Sequence, residues 1–115
     1  MALKKTVTAK NILARTPTEQ LQSRGVTIAS GQNLDVGTVL GKVTATGLYS
    51  AYSNSNSDGT QTALGILQHP CDATGGNQVA GMYVRGAFLY DQLTGIDAAA
   101  VTELGGRVVG NELYI

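Results

Sequence analysis

Hydrophobic positions along this chain fall in short runs broken by glycine, proline, serine and asparagine. That spacing suits strands joined by tight turns better than long helices. Residues 1–10 are polar and Thr/Lys-rich without clear periodicity, which predicts an extended, mobile arm. Thr16-Pro17-Thr18-Glu19 has the form of a helix start, with Thr16 as N-cap, Pro17 at the first helical position and Glu19 closing a capping box. Gly25 would stop this helix after Gln20, Leu21 and Gln22. Two turns are too few to persist without packing.

From Val26 onward the pattern is that of strands. Val26-Thr27-Ile28 is a β-like run ended by Ser30-Gly31, and Thr38 to Thr44 is a second. Thr46-Gly47 turns the chain into Leu48-Tyr49-Ser50-Ala51-Tyr52, where Leu48, Ser50 and Tyr52 share one face. A polar loop from Ser53 ends in Asp58-Gly59, a turn signal. Ala63 to Leu67 reads as a buried strand, and His69 to Gln78 as a loop. Val79 to Arg85 and Ala87 to Tyr90 read as one long strand or two halves of a bent one, with a bulge at Gly86. One helix follows: residues 94–97 cap it, Ala98 to Leu104 fill it and Gly105 ends it in a left-handed conformation. Gly110-Asn111 between Arg107-Val108-Val109 and Glu112 to Ile115 is a two-residue hairpin signature. The predicted fold is α+β, mainly β. It is a small compact domain of short strands (residues 25–115) with one short C-terminal helix and a flexible N-terminal arm (residues 1–24).

Composition bounds this picture. With 115 residues the chain is one domain, and such a domain buries about two-thirds of the surface its unfolded chain exposes. The core is modest, with little room for an internal cavity. Cys71 is the lone cysteine, so no intrachain disulfide forms, which fits a reducing compartment. No apolar run approaches the ~18–20 residues of a membrane span, and the first residues lack the apolar stretch of a secretory signal. The expectation is synthesis in a cytoplasm, no export by its own signal and no membrane partner.

Charge is balanced overall but unevenly placed. Up to Arg24 there are Lys4, Lys5, Lys10, Arg15 and Arg24 against Glu19 alone. Beyond it, Lys42, Arg85 and Arg107 face Asp35, Asp58, Asp72, Asp91, Asp97, Glu103 and Glu112. A basic arm before an acidic body is the pattern of an interaction tail, or of a solvated terminus with no partner. Nucleic acid is not expected, because the basic residues are spread singly, no aromatic lies among them and the body repels phosphate.

Candidate chemistry is sparse. His69-Pro70-Cys71-Asp72 is the one cluster with reactive side chains. A zinc site needs about four ligands, and the chain has no other Cys or His. A Cys–His dyad needs the base to approach the thiol side-on, which near neighbours separated by a rigid proline do poorly. The simpler reading is a loop with one small buried hydrophobe and one exposed imidazole. Gly41-Lys42 fails as a phosphate loop, since Val36 stands where Gly is needed and Val43 where Ser or Thr is. Gly75-Gly76-Asn77 lacks the strand–glycine–helix setting of a dinucleotide site. Neither an enzyme nor a cofactor is expected.

An ordered series of segments carries a resemblance. The runs 26–31 and 37–43, then Leu48-Tyr49, Ser57 to Leu67, Asp72 to Gly76 and Tyr83-Val84-Arg85-Gly86-Ala87 resemble the lambda-type head decoration proteins of tailed phages. The likeness spans about Val26 to Leu93 in order and spacing. It is looser beyond Leu93 and only positional before Val26. The resemblance implies a homotrimer at local three-fold positions on the exterior of the capsid head. There it would cement major capsid subunits against internal DNA pressure, with an N-terminal arm that orders on the shell. The expected location is the virion, after assembly in the host cytoplasm.

On this reading Lys4, Lys5, Lys10 and Arg15 are the candidate capsid-binding residues of the arm. Phe88, Leu89, Leu113, Tyr114 and Ile115 are candidate trimer contacts that could equally be intrachain core. Two alternatives stay open. One is another trimeric virion component, such as a tail or fibre adhesive module. The other is a small hydrolase or ligand-binding domain built on His69, Cys71 and nearby acids.

Overall fold

The run Val26-Thr27-Ile28 lies inside a longer strand, β1 (Gln22–Ile28), which pairs antiparallel with β7 (Gln78–Arg85) from Gln22↔Arg85 to Ile28↔Gln78. The computed structural model describes Ile12 and residues 21–115. The expected helix start at Thr16–Glu19 and the basic residues Lys4, Lys5, Lys10 and Arg15 lie outside the described residues. Gln22, given by that helix reading to its last turn, is extended, as are Ser23 and Arg24. Gly25 lies opposite Gly81 within the strand instead of stopping a helix. A two-turn helix gains little alone, whereas pairing with β7 satisfies the backbone and continues the Val26/Ile28 alternation.

Three further strands, β3 (Val39–Lys42), β4 (Tyr49–Ala51) and β5 (Gly65–Leu67), join these two in a closed barrel of order β1-β4-β3-β5-β7. A parallel contact at Ile28↔Tyr49 completes it. Val26, Ile28, Leu40, Leu67 and Met82 pack together with Cys71 and Ala73 as one core cluster. On the other face of the same strands, Val39↔Ile66 and Ile66↔Tyr83 are cross-strand partners in a single row. Ile66 belongs to a second cluster with Phe88, Leu93 and Leu113, and Val39 to a third with Tyr52 and Ala100. Strand β5 is thus buried on both faces, which is why its sequence is a continuous apolar run and not an alternating one.

The loop from Ser53 to Thr60 folds tightly over β3, and Gly41 permits this: a Cβ there would sit 2.6 Å from the Thr60 Cα. Within the segment read as a loop from His69, a two-residue strand β6 (Cys71–Asp72) pairs with β2 (Asn33–Leu34).

Gly86 does more than bulge a strand. At φ +148° it redirects the chain out of the barrel, so that β8 (Ala87–Leu89) enters a separate sheet of order β8-β10-β9. Its other members are β9 (Arg107–Val109) and β10 (Glu112–Tyr114), joined through Gly110-Asn111 with Gly110 at φ +61°. Between β8 and β9 lie a 3-10 turn at Tyr90–Gln92 and the helix α1 (Ala98–Glu103). Asp97 caps α1 by accepting from the Ala100 N–H at 2.8 Å. Its far end is a Schellman closure: Gly105 N–H donates to Thr102 and Gly106 N–H to Val101, with Gly105 at φ +72°. No helix among the described residues is long and apolar enough to cross a membrane.

Candidate functional site

The C-terminal sheet divides its residues by the strand pleat. Phe88 and Leu113 are cross-strand partners and both fully buried, so this part of the row faces the core, while Val108 at its end is exposed. Burying side chains of this size contributes about 1.5–3 kcal/mol each. Phe88 also meets the Tyr83 ring with centroids 5.5 Å apart, linking sheet to barrel. The neighbouring row Leu89–Glu112–Val109 faces the opposite way. Of the five apolar residues singled out at the sequence level, Phe88 and Leu113 are therefore intrachain core. Leu89, Tyr114 and Ile115 are half-buried.

Strand β9 is an edge strand of that sheet and carries Val108 at 41% and Val109 at 52% exposure. On the opposite edge, β8 meets the Ile12 residue: the Leu89 N–H donates to the Ile12 carbonyl at 2.7 Å. Ile12 is itself buried, in the cluster of Val36, Ile66, Phe88, Leu93 and Leu113. Leu21 lies over Gly86, where a Cβ would come within 2.4 Å of the Leu21 side chain. Ile12 and Leu21 thus both meet the body at the C-terminal half of the chain, Ile12 on β8 and Leu21 on Gly86.

An open cleft of about 290 Å³ adjoins the Gly86 corner, lined by Arg85, Gly105, Gly106, Arg107, Tyr114 and Ile115. Arg85 ends β7 and Arg107 begins β9, two elements brought together because Gly86 and Ile115 exchange both backbone hydrogen bonds, at 3.1 and 2.9 Å. The Arg107 guanidinium carbon lies 5.0 Å from the Tyr114 ring centroid, a cation–π contact that orients it. Gly106 packs directly against the C-terminal residues, since a Cβ there would lie 2.6 Å from Ile115 Cγ2. The two arginines are 22 positions apart in sequence. Their only local signal is the adjacency of each to a glycine, and sequence reasoning did not bring them together.

Burial divides the reactive cluster. Cys71 is buried among the barrel side chains and its thiol is pushed up by burial and by the neighbouring Asp72 charge. His69 is exposed. Among the described residues, no three His, Cys, Asp or Glu side chains gather as a metal site. The turn acids behave as local braces: Asp58 accepts from the Thr60 side chain and backbone and Asp72 from those of Thr74, and both carboxyls are held below their usual range by those bonds.

A family model described as bacteriophage lambda head decoration protein D matches residues 2–111. No curated protein matches the chain.

Proposed function

The chain belongs to the family of bacteriophage lambda head decoration protein D, and from that premise we propose that it binds as a homotrimer to the exterior of a phage head, at local three-fold sites. There it stabilises the shell against internal DNA pressure, with the major capsid protein as its partner and the virion as its location. The observation that carries this reading is the extent of the family match, which runs from residue 2 to 111 and so takes in both the basic N-terminal segment and nearly all of the folded body. The role is structural and needs no catalysis, cofactor, nucleic acid or membrane.

The body supplies a physical reason to oligomerise. A domain this small has a limited core, and Val108, Val109 and Val79 leave apolar surface in water, Val79 at 80% exposure. Closed cyclic symmetry buries such surface without open-ended growth. Light scattering at micromolar concentration tests the trimer, and a monomer mass would overturn it. Electron microscopy of empty heads with and without the protein tests the location. Added density at three-fold positions and greater resistance of the heads to heat are expected, and heads unchanged by saturating protein would defeat the proposal.

A further inference from the structure

We infer that Gln61 guards the Asp58–Gly59 peptide link, holding its N–H so that the link resists conversion to isoaspartate. The inference stands on the geometry of this loop and does not depend on head binding.

The fold imposes a labile dipeptide at this position. Gly59 lies at φ +112°, and a Cβ there would overlap the Lys42 carbonyl and the Thr44 hydroxyl, which excludes any side chain. Thr60 is buried at 1% exposure, and Asp58 Oδ1 accepts from both its hydroxyl and its N–H. Packing thus demands glycine at 59 and an acceptor at 58. Such a pair offers little steric resistance to ring closure, since glycine has no side chain to shield its nitrogen. In that reaction the Gly59 nitrogen attacks the Asp58 carboxyl carbon. A C–N bond forms, the carboxyl C–OH bond breaks, and the N–H proton leaves with the hydroxyl as water. A second water then opens the succinimide at either carbonyl, returning aspartate or giving isoaspartate.

Each group that ring closure needs is restrained. The Gly59 N–H donates to Gln61 Oε1 at 2.7 Å, so the nitrogen must lose this bond before it acts as a nucleophile. The Asp58 carbonyl accepts from the Thr44 N–H at 2.9 Å, which fixes the other side of the same peptide plane. The bonds from Thr60 also hold the Asp58 carboxyl below its usual range. It therefore stays ionised at neutral pH, whereas the neutral acid is the form that expels water. Asp58 is exposed, so the restraint comes from these bonds and not from shelter against solvent.

Conversion would damage the fold at a tight point. An isoaspartyl link adds a methylene to the backbone and would shift Thr60 off Gly41. That contact is close enough that a Cβ on Gly41 would stand 2.6 Å from the Thr60 Cα.

The test follows isoaspartate at residue 58 during prolonged incubation of the full chain at neutral pH, by isoaspartate-specific enzymatic methylation and peptide mass spectrometry. The native parent, the parent unfolded in urea, Gln61→Ala and Asn56→Ala are compared. Asn56 donates to Thr60 Oγ1 at 2.8 Å, so its variant loosens the same loop without touching the Gly59 N–H. The native parent should accumulate isoaspartate severalfold more slowly than the unfolded chain. Gln61→Ala should rise severalfold toward the unfolded rate with an unchanged circular-dichroism spectrum, and Asn56→Ala should match the parent. Equal rates for native and unfolded parent, or for Gln61→Ala and parent, would overturn the inference. So would an equal rise in Asn56→Ala, which would assign protection to loop rigidity in general. Amide exchange in the parent needs no variant: the Gly59 N–H should exchange slowly, and exchange at the unfolded-chain rate would overturn the inference as well.

Discussion

The Tyr52 hydroxyl donates to Asp97 Oδ1 at 2.9 Å, and the same oxygen accepts the Ala100 N–H at 2.8 Å. One carboxylate oxygen thereby caps α1 and ties it to the chain leaving β4. Tyr52→Phe removes one of these bonds but leaves Asp97 engaged, so it should cost about 1 kcal/mol. Asp97→Ala removes the cap and orphans the buried Tyr52 hydroxyl, so it should cost about 2–3 kcal/mol. Urea denaturation checks the order, and equal losses would show that the two bonds are not coupled through Asp97.

The same pair sets an alkaline limit. The Tyr52 phenol is pushed up from 10.0 to about 12, first by burial, then by its bond to Asp97 and the charges of Asp97 and Glu103. The unfolded chain then loses this proton first, so its contribution to stability is complete below pH 10 and declines as pH rises toward 12. Tyr52→Phe should flatten that part of the profile. At the acid end the sign reverses: the lowered carboxyls of Asp58 and Asp72 favour the fold above their ordinary range and stop doing so as pH falls through it. Thr74→Val, which deletes the side-chain bond to Asp72, should reduce the acid dependence. An unchanged profile between pH 5 and about pH 2 would count against that assignment.

Cys71→Ser should leave oligomer mass and head binding intact and cost about 1–2 kcal/mol, because a hydroxyl replaces a thiol among barrel side chains. The native thiol should react slowly with a soluble labelling reagent at neutral pH, as burial both shields it and disfavours the thiolate. Rapid labelling, or loss of assembly in the serine variant, would return Cys71 to the list of functional residues.

Local signals in the sequence foretold local structure. Gly110-Asn111 marked the β9–β10 hairpin, and Asp97 and Gly105 marked both ends of α1. Gly86 marked a bend, but a glycine cannot say whether the next strand stays in the same sheet. That depends on Ile115, which pairs with Gly86 from 29 positions away. The β2–β6 pair escaped notice because two-residue strands have no periodicity to read. At Gln22 the helix signals upstream lost to pairing with β7, a partner the local sequence does not reveal. The cleft was hidden for the same reason, since Arg85 and Arg107 meet only through that long-range closure.

The last prediction separates the N-terminal segment from the body. Strand β1 begins at Gln22 and Ile12 is buried, so the informative cut falls ahead of Ile12. Deleting residues 2–10 removes Lys4, Lys5 and Lys10 but keeps Ile12 and its bond to Leu89. Stability and trimer mass should therefore hold. If those lysines steer association, binding to heads should weaken, most at low salt. The loss should exceed that expected of one segment alone. In a trimer the second and third segments bind intramolecularly and raise affinity by about 10²–10⁴, and all three are lost together. Deleting residues 2–20 also removes Ile12 from its cluster with Phe88 and Leu113, and should cost a further 2–4 kcal/mol or so in urea denaturation. Undiminished head binding by the shorter deletion would show that the body carries recognition without the basic segment.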